Sequence, residues 1–278
     1  VELNEARLVT SFFVGFLFAQ MGSVTQVLWR NKLASTSTLG IDGLAVLIYL
    51  LTFFSQGLWL LPVILIFIGY VAKKSTQDDD LNSDKLIIMG MALNLAVGAI
   101  FSILQFFVVA MNIDFPTQIW FGQMRWVTMQ KIYVILTMTF LWNIYLIKKR
   151  KIFVLNNLNP LYVLLSGIKI SKEKIYFWFV LLIINFVLTY YFGVFTFLSL
   201  VFPHFLRFFS YFKGSILKEI FVGPLFCGVF LMLLDQLVWY YPIWGVEIPV
   251  GLLASIIGSF SLIFLLIQKV GRNLGKTS

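Results

Sequence analysis

Residues 86–111, LIIMGMALNLAVGAIFSILQFFVVAM, contain no ionisable side chain. About 20 apolar residues carry an α-helix across the hydrocarbon of a bilayer, and this run is longer. Comparable runs lie at 8–28, 41–55, 58–72, 131–147, 175–192, 195–208, 220–240 and 248–268, so the chain reads as nine spans. The runs at 41–55, 58–72 and 195–208 are short. They predict broken or half-length helices packed among others, because non-helical backbone is tolerated at membrane depth only away from lipid.

Composition agrees. Of 278 residues, 60% are hydrophobic, 18% aromatic and 12% charged, and the mean hydropathy is +0.93. A soluble domain is near a quarter charged. These values exclude an ordinary soluble domain, a disordered chain and a nucleic-acid module. The expected fold class is all-α and polytopic. Residues 1–278 form a single transmembrane domain, with no long linker or low-complexity tract. Cys227 is the only cysteine, so no internal disulfide forms, and its apolar run predicts a buried small hydrophobe.

The 21 Lys and Arg residues divide unevenly between alternate loops. Eighteen fall in six clusters: Arg30 and Lys32; Lys73, Lys74 and Lys85; Lys148 to Lys151; Lys169, Lys172 and Lys174; Arg207, Lys213 and Lys218; Lys269, Arg272 and Lys276. The intervening loops hold three, Arg7, Arg125 and Lys131. The positive-inside rule places the rich loops and the C-terminus in the cytoplasm. The net charge of +9 is thus a topology signal and not a nucleic-acid footprint. Nine spans then put Val1 outside, with a preceding span either missing from the chain as given or absent by nature. The acidic loop Asp78 to Asp80 reads as a solvated turn.

Catalytic chemistry needs positioned titratable groups. The chain has one histidine and one cysteine, and no H-E-x-x-H or G-x-S-x-G pattern. The tail Gly271 to Thr277 superficially resembles a phosphate loop. It has three residues between its glycines where four are needed, and it follows a membrane helix instead of a strand. No catalytic residue, metal site or cofactor is expected in this chain, and any nucleotide is handled by another.

Four motifs point further. Arg30-Asn31-Lys32-Leu33-Ala34 runs on to Leu39-Gly40-Ile41. Gly90-Met91-Ala92-Leu93-Asn94 follows, then Pro203-His204-Phe205-Leu206-Arg207, then Glu247-Ile248-Pro249-Val250-Gly251 with Gly258. In order and spacing over residues 7 to 268 they resemble the FecCD-type permeases, the membrane subunits of ABC importers for iron-siderophores, haem and cobalamin. Lys32 and Ser37 stand where the family has prolines, and Ser259 and Phe260 break its later G-A-P pattern.

The resemblance implies a type II ABC importer permease fold, with ten spans in the family and about nine here. It also implies a partner permease, identical or related, around a central path. Two ATPase subunits bind ATP and Mg, and an extracytoplasmic binding protein delivers a bulky chelate. Two short coupling helices are implied between Leu158 and Lys174, with Pro160, Gly167 and Lys169 at the ATPase contact. Val163 and Leu164 replace a more polar family pair, so the contact is greasier. Gly90 and Asn94 are implied to border the path. His204 is expected to hydrogen-bond near the cytoplasmic end, with Arg207 at the headgroups or on a neighbouring subunit. Arg7 is implied to dock the binding protein. Asn4 and Trp239 occupy the positions of two further docking arginines, and Arg125 and Lys131 are candidate substitutes.

Several expectations rest on the residues themselves. Asp235 lies late in a span and needs a donor nearby. Gly15, Ala19 and Gly22, and likewise Gly90, Asn94 and Gly98, form small-residue stripes suited to close helix packing. Trp120, Trp126, Trp239, Tyr240, Tyr241 and Trp244 read as an interfacial belt or, less simply, a surface for an aromatic ligand. The alternatives are an ABC permease for free zinc or manganese, which would want carboxylates or histidines along its path; an intramembrane enzyme, for which Asp235 is the one clear candidate; and a channel or scaffold acting without ATP.

Overall fold

The structure is a computed structural model describing residues 2–55, 83–112, 121–124, 127–212, 214–242 and 247–260. The span read at 58–72, the acidic loop, Trp120, Arg125, Trp126, Lys213, Trp244 and the C-terminal tail lie outside them. The helices are α1 (Glu2–Leu28), α2 (Ile41–Ser55), α3 (Ser83–Ala110), α4 (Met129–Leu158), α5 (Pro160–Leu165), α6 (Ile170–Phe192), α7 (Leu198–Phe208), α8 (Ile216–Phe221), α9 (Gly223–Tyr240) and α10 (Val250–Phe260). Five helical stretches are long and apolar enough to cross a membrane: Glu5–Leu28, Ile87–Val108, Met129–Leu158, Ile170–Phe192 and Ile216–Tyr240.

Helix α1 is the hub. It packs on α9, α7, α4 and α8 and is mostly buried. Between helices in lipid no hydrophobic driving force acts, so close packing and internal hydrogen bonds hold the bundle. The composition of α1 follows from that. Its polar residues turn inward, with Thr10 Oγ1 donating to the Ala6 carbonyl at 2.8 Å and Gln20 Nε2 donating to Asn143 Oδ1 at 2.9 Å. Its small residues admit neighbours. A Cβ on Gly15 would lie 2.8 Å from Leu231 Cβ and 2.9 Å from the Cys227 carbonyl, while one on Gly22 would overlap the Ser199 backbone. Ala19 is fully buried. Helix α3, more apolar, is mostly exposed, with Leu95, Ile103 and Phe106 among its exposed residues. Between α4 and α6 an aromatic ladder joins Trp142, Tyr145, Phe153 and Phe177.

Two expectations about element boundaries need correcting. The span read at 131–147 belongs to a helix that continues through Lys148–Lys151 to Leu158. Lys and Arg are good helix formers, so a helix need not stop where apolarity does. Lys149 braces this extension on Glu173 of α6, with Nζ 2.6 Å from Oε1. Asn159, in extended conformation, and Pro160 then end it. Beyond it the structure has one short helix, α5, where two were expected. The second expected element is the first turns of α6, which begins at Ile170 and not near 175.

Candidate functional sites

At the basic end of the bundle, α5 starts on Asn159, whose side chain accepts the Leu161 N–H at 3.0 Å, with Pro160 in the first turn. Its end is a Schellman motif. The Gly167 N–H reaches the Leu164 carbonyl at 2.9 Å and the Ile168 N–H reaches the Val163 carbonyl at 3.3 Å. This pattern places Gly167 in the left-handed region, at φ +76°, which favours glycine. Nothing lies within 4 Å of where its Cβ would be, so conformation and not crowding selects glycine here. Lys169 caps the start of α6. Val163 is fully buried, whereas Leu161, Leu164 and Leu165 are 60%, 58% and 82% exposed. The turn therefore displays an apolar face.

The stretch from Arg30 to Asp42 is mostly non-helical backbone that is exposed at Arg30, Lys32 and Leu33 and folds back into the protein, buried, from Ala34 onward. Arg30 closes α1 at φ +50°. The Asn31 side chain accepts the Leu33 N–H at 2.8 Å, and His204 Nε2 donates to the Lys32 carbonyl at 2.9 Å. Ser35 and Thr38 cap each other reciprocally, and Thr36 Oγ1 meets Ser199 Oγ at 2.7 Å. Asn94 clamps the segment from α3. Its Nδ2 donates to the Ser37 carbonyl and its Oδ1 accepts the Gly43 N–H at 2.7 Å. Gly90 lets the backbone of Thr38–Gly40 lie directly on α3. Gly90 and Asn94 thus act as packing residues, with both Asn94 amide groups engaged inside the chain. Gly98, third in that stripe, meets nothing within 4 Å.

Asp42 is the residue that sequence reasoning passed over. It is 4% exposed, accepts from Ser37 Oγ and from Asn185 Nδ2, both at 2.6 Å, and Thr189 Oγ1 braces Asn185 at 3.1 Å. A carboxylate one residue into an apolar run, behind a Ser/Thr-rich turn, was the signal available. Asp42→Ala orphans two buried donors, each costing about 1–3 kcal/mol. We expect a lower melting temperature in detergent, with Asp42→Asn losing less because it keeps one acceptor.

Arg207 is engaged inside the chain: it binds Glu219 through Nε (3.0 Å) and Nη2 (2.5 Å) and Gln26 through Nη1 (2.6 Å). It ties α7 to α8 and α1. Pro203 lies inside α7 beside Gly22.

At the opposite end, Arg7 forks onto Asp235, with Nε 2.7 Å from Oδ2 and Nη2 2.8 Å from Oδ1. Its Nη1 reaches Glu247 at 3.3 Å and its Cζ sits 4.5 Å over the Trp239 ring. The Arg7 side chain is 6% exposed and that of Asp235 0%. Arg7 is therefore a buried internal cation and not a displayed docking group. It supplies the donor that Asp235 required. Beyond Glu247, Pro249 accepts the Leu252 N–H at 3.0 Å. Gly251 then lies against Gly122, donating to its carbonyl at 2.8 Å. Among the described residues no group of three His, Cys, Asp or Glu side chains could hold a metal ion.

Residues 1–268 match the FecCD transport family. The chain belongs to that family. Its fold is also that of solved transporters. One, described as a metal-chelate type ABC transporter in an inward-facing conformation, superposes with TM-score 0.75 at 20% identity, covering 95% of this chain and 85% of the other. PsaBC from Streptococcus pneumoniae, in complex with Fab, gives TM-score 0.64 at 15% identity, covering 95% and 91%. No curated protein matches the chain. In this FecCD-family protein Ser37 hydrogen-bonds Asp42, and the Arg7 guanidinium lies over the Trp239 ring.

Proposed function

We propose that this chain is the permease subunit of an ATP-driven importer for a bulky iron chelate, a siderophore or haem, or for cobalamin. It sits in a bacterial cell membrane with the basic end and the C-terminus in the cytoplasm, as the division of charge supports. A second permease, identical or related, completes the path. Two ATPase subunits bind ATP and Mg, and hydrolysis there drives the change between outward- and inward-open states. An extracytoplasmic binding protein delivers the substrate. FecCD membership supports the chelate class over free zinc or manganese.

The observation that carries the ATPase reading is α5. Three exposed leucines on a short helix, held by a Schellman turn beside cytoplasmic lysines, form an apolar patch of the kind that marks a protein contact. At the charge-poor end, where Arg7 is engaged internally, Tyr240 and Tyr241 are exposed and offer an aromatic surface to a binding protein.

Leu165→Glu tests the contact. An exposed substitution usually shifts stability by no more than about 0.5 kcal/mol. The variant should fold, yet lose co-purification with its ATPase partner and lose ATP-dependent uptake. An intact complex with unchanged transport would remove α5 from the coupling role. Substrate is assigned in liposomes, where the binding protein loaded with haem, siderophore or cobalamin should stimulate ATP hydrolysis.

A further inference from the structure

A cavity of about 600 Å³ opens at the basic end, where α1, α4, α7 and α8 converge. Its polar lining includes Gln26, Arg30, Lys32, Arg207, Ser215 and Glu219. The charges do not cancel. Arg207 and Glu219 satisfy each other through two hydrogen bonds. Arg30 and Lys32 are exposed side chains with no ion-pair partner among the described residues. Three cations, Arg30, Lys32 and Arg207, thus face one carboxylate, Glu219, in the cavity lining, a surplus of two positive charges. The Ser215 hydroxyl is a further donor, since its oxygen only weakly accepts the Lys218 N–H, at 3.5 Å. Gly214 beside it, at φ +86°, leaves the wall open, with nothing within 4 Å of its Cβ position.

The ligand that matches is an anion with one or two negative charges and several acceptor oxygens. A guanidinium presents planar donors to phosphate oxygens and an ammonium adds a point charge. Basic pockets between helices on the cytoplasmic side of a membrane protein suit phospholipid head groups. We propose that this cavity binds a phosphate group, carried by an anionic lipid or free in the cytosol. Arg30 and Lys32 supply the charge. The Arg207–Glu219 pair forms a fixed wall, and Ser215 orients the oxygens.

The test uses the full chain, without any ATPase, in detergent micelles doped with phosphatidylglycerol, cardiolipin or phosphatidylcholine. Native mass spectrometry counts retained lipid. A polybasic site gains about 1 kcal/mol per cation near an anionic surface, which for two cations is roughly a 30-fold change in affinity. Phosphatidylglycerol and cardiolipin should be retained over phosphatidylcholine, and the double variant Arg30→Gln/Lys32→Gln should lose that preference by roughly this factor. The double variant Lys148→Gln/Arg150→Gln removes the same charge from exposed positions that do not line the cavity and should keep it. Displacement of lipid by millimolar inorganic phosphate, and phosphate binding without lipid, would identify free phosphate as the occupant. Retention that phosphate cannot displace identifies the lipid. Equal loss in both double variants, or no preference for anionic lipid together with no phosphate binding, overturns the proposal. So does an Arg30→Gln/Lys32→Gln variant that keeps the preference for anionic lipid. Failure of the Leu165→Glu test leaves this measurement unaffected.

Discussion

Asp235→Ala should lower the stability of the protein by about 3–5 kcal/mol, because it strands the buried Arg7 guanidinium. Both side chains are almost fully buried, and two charge-assisted hydrogen bonds of 2.7 and 2.8 Å join them. Among the described residues Glu247 is the only other acid bonded to Arg7. At 3.3 Å and a third exposed, it replaces little of that bond. The cost arises from the unpaired charge and not from the worth of the pair. A double variant, Arg7→Met/Asp235→Leu, should therefore recover most of the loss, since apolar residues of similar volume often replace a buried pair without penalty. Thermal unfolding in detergent measures all three. If the double variant were as unstable as Asp235→Ala, coupling through charge would be wrong and loss of shape would be the cause. Arg7→Met alone should be similarly damaging, since it leaves Asp235 as a buried, unpaired carboxylate. The pair joins the first turns of α1 to α9 and the entry to α10, so its loss loosens the charge-poor end as a unit.

The second large effect is expected at Gly22. Its missing side chain lets α7 lie on α1, and a Cβ there would overlap the backbone of Ser199 and touch Pro203. Backbone cannot swing aside as a flexible side chain can. Gly22→Val must separate the two helices, costing about 3 kcal/mol, at the upper end of the usual overpacking range. It should also break the bond between Thr36 and Ser199, and with it the seat of the buried turn. Gly98 is the built-in contrast. It is also a glycine inside a helix, but nothing lies within 4 Å of its Cβ position. Gly98→Ala should be neutral or stabilising by up to about 1 kcal/mol, from helix propensity alone. Opposite signs for the two substitutions, read as melting temperatures, would establish that contact and not composition gives the stripes their meaning. A fall at both positions would mean that Gly98 is covered by something other than the described residues.

Much of this was legible before any coordinates. Long apolar runs separated by basic clusters predict a polytopic helical protein, because backbone groups in lipid must be satisfied within the chain. The Pro203–Arg207 and Glu247–Gly251 motifs carried the resemblance to the family. Gly167 was recognisable as a turn glycine, since a left-handed residue between two helical stretches favours that type. Other features were hidden for definite reasons. Asp42 lay unnoticed because its partners, Ser37 and Asn185, are held by different elements. Arg7 looked like a surface cation because an arginine near a chain end carries no mark of its burial. The end of α4 was misplaced because hydropathy reports lipid and not hydrogen bonding.

The sequence by itself determined the fold class and the two charge-distinct ends, which follow from composition and spacing, local properties of a chain, and its motifs carried the resemblance to the family. The tertiary structure decided which charges are paired and which remain free. Arg7 was drawn inside by Asp235 and Arg207 by Glu219, while Arg30 and Lys32 remained exposed at the mouth of a cavity. An ion pair forms between residues more than two hundred positions apart only because packing brings their helices together, and no one-dimensional pattern records that meeting.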